Sequence, residues 1–84
     1  IKEMGLLDLF KPAWQHSDWK KRRKAVEKIT DQSILKEVVL KDKESFVRRA
    51  AVWKITDQAF LREVALKDKN EVVRYAAVSR IKHL

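Results

Sequence analysis

Apolar residues recur along this chain at helical spacing, in two kinds of stripe that alternate. Ile34, Leu35 and Val38 stand at i, i+1 and i+4, as do Phe60, Leu61 and Val64, and each trio is followed by a leucine, Leu40 or Leu66. Such spacing marks one face of an amphipathic helix. A second stripe follows the first of these: Val47, Ala51 and Ile55 point inward, with Ala50 and Val52 at the flanks. Between the stripes, KDKE and KDKN read as turns. The pattern predicts helix pairs whose first members begin at Thr30 and Thr56 and whose second members cover residues 44–55 and 70–82. Thr30 and Thr56 are expected to cap the first members, with Asp31 and Asp57 in the first turn, where the helix dipole favours an anion. Ser17, with Asp18 behind it, is expected to open an earlier helix over residues 17–29.

The pattern is written more than once. At an offset of 26, residues 22–47 and 48–73 agree at 17 of 26 positions, and a third copy beginning at Arg74 keeps Ala76, Ala77, Val78 and Ile81. A fixed period of this size with helical spacing inside it predicts a stacked helical array. One domain over residues 1–84 follows, divided into a capping segment (1–16), a first helix (17–29) and two units (30–55 and 56–82). MGLLDLF at residues 4–10 is expected to lie as a lid over the first helix, with Trp14 and Trp19 packing it down; a membrane-touching or dimerising segment is the alternative. In the frame of the period, His16 stands where Asp42 and Asp68 stand. Ala25, Ala50, Ala51, Ala76 and Ala77 allow close helix approach. Isolated helices of about 10–12 residues are marginal in water, so neighbours must hold each one.

The second helices open with VRRAAV at residues 47–52 and VRYAAV at 73–78, each behind an acidic turn, and KRRKAV at 21–26 departs from that motif at Lys21. This resembles the short form of HEAT-like repeats, over residues 17–82. The resemblance implies an all-α protein, an α-solenoid of short antiparallel helix pairs forming a HEAT-like superhelix. A period shorter than that of most such repeats implies shorter helices and a tighter array. Members of that family are mostly scaffolds and binding surfaces, and some grip DNA on a concave face.

Composition agrees with helix and narrows the chemistry. Of 84 residues, 45% are hydrophobic and 38% charged, with one Gly and one Pro, which favours helix formers over breakers. The absence of cysteine leaves no disulfide, thiolate metal site or sulfur nucleophile. No apolar run approaches the roughly 20 residues of a membrane span, and no secretory signal is visible. A soluble, intracellular, cytoplasmic protein is the expectation. The net charge of +8, from 20 Lys and Arg against 12 Asp and Glu, biases encounters toward polyanions.

Catalysis finds no foothold in the sequence. His16 and His83 are far apart, no pair of histidines has ligand spacing, and Gly5 alone cannot build a phosphate loop. No enzyme, metal or cofactor is expected. Arg22, Arg48 and Arg74 recur on the apolar side of their helices, where a guanidinium needs an acceptor. Asp42 and Asp68 in the turns, or Asp31 and Asp57 at the neighbouring helix starts, are the expected partners in an Arg/Asp ladder. On the opposite face, positions 46, 49 and 53 fall within about 60° of one another. With their equivalents this face reads Lys20, Arg23, Glu27; Phe46, Arg49, Trp53; Val72, Tyr75, Ser79. Arg23, Phe46, Arg49, Trp53 and Tyr75 are therefore the candidate partner-binding residues, with an apolar patch rimmed by arginine as their mark. The lid or a second copy covering Trp53 is the alternative.

The run KKRRK at 20–24 spreads around its helix, which makes a solvated surface the expectation and a phosphate-binding patch the alternative. Three function classes follow: a protein-binding scaffold with a separate partner or as a homo-oligomer, a nonspecific nucleic-acid binder, and an array with no ligand. The last helix is expected to expose Ala76, Ala77 and Ile81 unless a second copy covers that C-terminal edge or the natural protein continues past it.

Overall fold

A computed structural model describes residues 12–82. Among these residues the chain is all helical, without strands: a 3₁₀ turn at Ala13–Gln15, then α1 (Trp19–Val26), α2 (Gln32–Lys41), α3 (Ser45–Val52), α4 (Gln58–Lys67) and α5 (Glu71–Arg80). α3 touches α1 on one side and α5 on the other, while α2 packs on α3 and α4 packs on α5. The result is a row of α1, α3 and α5 backed by α2 and α4. The lid expected at residues 4–10 lies outside the described residues, as does most of the capping segment. From that segment the 3₁₀ turn contacts α1, and Trp14 packs against the core.

Each helix begins where an acceptor side chain can reach its free N–H groups. Asp31 accepts from the Ser33 and Ile34 N–H groups at 2.8 and 3.3 Å, Asp57 from Phe60 at 3.1 Å, and Asp18 from Lys20 at 2.9 Å. The caps are thus one residue later than expected at Ser17, Thr30 and Thr56. An ionised carboxylate is the stronger acceptor at this end of the dipole, and the Thr56 hydroxyl sits instead 3.4 Å from the Gln32 side-chain oxygen. Glu44 and Asn70 cap α3 and α5. α1, α3 and α5 are shorter than their expected spans, and Ile29 and Ile55 lie beyond helix ends yet still pack on or within the core.

The core follows helical spacing. Leu35, Val38 and Val39 of α2, Val47, Ala51 and Val52 of α3, Leu61 and Val64 of α4, and Val73, Ala76 and Ala77 of α5 are buried, with Val26 and Ile55. The leucines after each stripe are outside the core, and one expectation fails at the C-terminal edge. Leu40 and Leu66 are 70% and 80% exposed, because five residues on from Leu35 or Leu61 the helix has turned by about 140° away from the stripe. Ala76 and Ala77 are 2% and 0% exposed, since α5 packs on α3 and α4, while Val72, Tyr75 and Val78 are the exposed large apolar residues of α5.

Two sets of polar bonds tie neighbouring segments together, each appearing twice, 26 positions apart. Arg22 and Arg48, both buried, each place a two-pronged bond on an aspartate. Arg22 reaches Asp42 at 2.9 and 3.1 Å, and Arg48 reaches Asp68 at 3.0 and 3.1 Å. Their third nitrogen, Nη1, donates to backbone carbonyls: Arg22 to His16 and Ser17, Arg48 to Asp42. Each aspartate also accepts the N–H two residues on, which holds the turn. His16 does the same through Nδ1, accepting the Asp18 N–H at 3.0 Å. In the second set, Gln32 donates to the Lys54 carbonyl and accepts the Thr56 N–H, while Gln58 donates to the Arg80 carbonyl and accepts the Lys82 N–H.

Candidate functional site

α1, α3 and α5 turn their small and β-branched residues inward, so their opposite sides carry what the apolar frame does not constrain. On that outward side, half-buried Trp19 stacks on Phe46 with ring centroids 5.6 Å apart and planes 27° from parallel. Lys20 and Arg23 each lie 5.9 Å from the Trp19 ring, and Arg49 lies 5.3 Å from Phe46. At these distances the negative ring faces attract the cations. Three of the five candidate residues, Arg23, Phe46 and Arg49, thus meet in one cluster around Trp19.

Trp53 and Tyr75 stand outside that cluster. Trp53 is 48% exposed at the end of α3 and Tyr75 is 73% exposed on α5, with no ring contact among the described residues. Phe46 keeps 43% of its surface open and Val72, one unit on, 42%. Trp19 was missed at this face and expected under the lid. The signal that could have found it is its i, i+4 relation to Arg23 on one helix.

The ladder residues have a different geometry. Arg22–Asp42 and Arg48–Asp68 are pairs with side chains 5–8% exposed. Arg74 donates Nη1 to the Asp68 carbonyl at 2.6 Å, in the manner of Arg48 with Asp42. No carboxylate meets its Nε and Nη2 among the described residues. Arg80 takes the place that Lys54 holds one unit earlier. Lys54 donates to the Val26 and Glu27 carbonyls, whereas Arg80 reaches the Ile55 carbonyl, and its buried Nε has no partner among the described residues.

On the other side, an open groove of about 800 Å³ runs between α2 and α4 over Val39, Leu40, Phe60 and Val64. Its wall includes Asp57, whose carboxylate bonds Lys36 at 2.7 Å. The Lys36 ammonium and the Phe60 N–H hold the Asp57 carboxyl below the usual 3.8. Lys36 also lies 5.5 Å from the Phe60 ring. Among the described residues no group of three or more His, Cys, Asp or Glu side chains gathers to hold a metal ion, and no helix is long and apolar enough to cross a membrane. No family model, curated protein or solved structure matches the chain.

Proposed function

We propose that this chain is a HEAT-like solenoid module without catalytic activity that binds a protein partner through the outward side of α1, α3 and α5. The recurrence of the arginine and glutamine bonds at the sequence period supports the solenoid. One observation carries the binding role: Phe46 stays open in the cluster that holds Arg23 and Arg49, and Trp53 and Tyr75 are exposed on α3 and α5 as well. Aromatic and arginine side chains are the residue types on which interface energy concentrates. The half-buried Trp19 ring already stacks on Phe46 and carries two cations, which leaves it little face for a nucleobase. Lys20 and Arg23 are exposed, which suits carboxylates of an acidic, apolar peptide.

Nonspecific nucleic-acid binding is the second reading, favoured by the open rings of Trp53 and Tyr75 together with the basic run at 20–24. Titration of tryptophan fluorescence with an acidic leucine- and phenylalanine-containing peptide, and separately with a single-stranded oligonucleotide, tests both. The expected result is a saturable peptide response that survives physiological salt and weakens at least about 10-fold in Arg49→Glu, the scale of a lost and reversed charge contact. An oligonucleotide response that falls steeply with salt, with no peptide response, would replace the protein reading. A homo-oligomer would show instead as a mass that rises with concentration and returns to the monomer value in Trp53→Ala.

A further inference from the structure

We infer that the edge of α5 bearing Arg74 and Val78 is a docking surface for a helix ending in an aspartate-bearing turn, supplied by a segment outside these 84 residues that is not a second copy of them. Arg22 and Arg48 define what a guanidinium at this position binds. Nη1 takes a carbonyl six residues earlier, and Nε with Nη2 takes a carboxylate twenty residues later. Arg74 has the first bond and lacks the second among the described residues. The Nη1 bond aims the unfilled fork, so a carboxylate arriving there meets an oriented two-pronged donor and little ordering cost.

The apolar surface beside the fork is open in the same way. Val78, one helical turn from Arg74, is 46% exposed, whereas Val52, its counterpart on α3, is 0% exposed. Val39 on α2 is buried and its counterpart on α4, Ala65, is half-buried. What covers α3 at the corresponding edge is α5 with α4 behind it, and the α4 turn delivers Asp68 to Arg48. The occupant of the α5 edge therefore needs an apolar stripe like Leu61 and Val64 and a turn carboxylate like Asp68. A second copy stacked in the same frame would bring His16 to Arg74, because His16 holds the position of Asp42 and Asp68. A histidine supplies no carboxylate to the fork.

The test uses the whole chain and a peptide with the sequence of residues 56–71, TDQAFLREVALKDKNE. The peptide is stapled as a helix across the positions of Arg62 and Leu66, which are exposed in the chain itself. Its affinity and site are read by NMR from the Arg74 Nε–H and the Val78 methyls. The expected result is saturable movement of both signals and affinity at least about 10-fold weaker when the peptide aspartate matching Asp68 is asparagine, since a charged acceptor becomes a neutral one. Arg74→Gln in the chain weakens binding by the same factor, and Lys24→Gln on α1 leaves it unchanged. Absence of movement at Arg74 and Val78 with millimolar peptide would overturn the inference. So would equal affinity for the asparagine peptide, measured on the unaltered chain. Concentration-dependent self-association abolished by Arg74→Gln would also overturn it, by making the occupant a second copy.

Discussion

Three bonds hold the Arg48 guanidinium, two to the Asp68 carboxylate and one to the Asp42 carbonyl. Removing that side chain strands the Asp68 carboxylate, 8% exposed in the intact chain, with the Asn70 N–H as its remaining donor among the described residues. Stranding one member of a buried pair costs about 3–5 kcal/mol. Arg48→Ala is expected to lose that much in urea denaturation, while Arg74→Ala, with one backbone bond, loses about 1 kcal/mol. Equal losses would mean that the carboxylate arm adds nothing. The apolar setting of these arginines was legible in their spacing, and that setting demands an acceptor. Which aspartate would serve was not legible, because the partner of Arg48, Asp68, lies 20 positions away while the helix-start candidate Asp57 is nearer in sequence. Asp57 adds a pH dependence of known sign. Its carboxyl is held below 3.8 by Lys36 and the Phe60 N–H, so its stabilisation is fully present above that pH and is lost as pH falls through the lowered value. The stability gap between the unaltered chain and Asp57→Asn should be constant near neutrality and shrink in acid; a gap that widens in acid would contradict the assignment.

At the scale of one helix, position relative to the cap decides the outcome. Asp31 accepts from two backbone N–H groups, whereas Thr30 precedes the helix. Asp31→Ala should cost about 1 kcal/mol and Thr30→Ala a few tenths or less, compared by thermal unfolding of the two variants. The apolar stripes of α2 to α5 were legible because burial follows a period of about 3.6 residues, and the same period carries Leu40 and Leu66 off the buried face. The glutamine bonds were invisible beforehand. Gln32 and Gln58 reach backbone groups 22 and 24 residues away, and nothing in local spacing reports where a distant carbonyl will lie. Their identity in both copies was the available trace. The Trp19–Phe46 stack escaped for the same reason, since the two rings come from separate helices.

For the whole molecule, charge and packing respond to salt in opposite ways. A net charge of +8 repels itself, and raising ionic strength from about 0.01 to 0.15 M shortens the screening length from about 30 to 8 Å. The buried arginine pairs are screened much less. Tm should therefore rise with added sodium chloride, by roughly 2–4 °C for a gain of about 0.5 kcal/mol. A fall would mean that exposed pairs such as Lys36–Asp57 outweigh the repulsion. All-helical class was legible in composition and periodicity together. The way α3 sits between α1 and α5 was not, because each helix offers apolar residues to more than one side.

Among the described residues, the side-chain hydrogen bonds that join separate segments span 20 to 28 positions. Chains whose contacts are this local close small loops and fold fast. Asp42 accepts Arg22 through its carboxylate and Arg48 through its carbonyl, and Asp68 does the same for Arg48 and Arg74. Once one of these turns forms, it offers acceptors to the arginines on both sides, so order can spread from it toward either terminus. Refolding from denaturant would then proceed from several starting points along parallel routes, with no obligatory first helix.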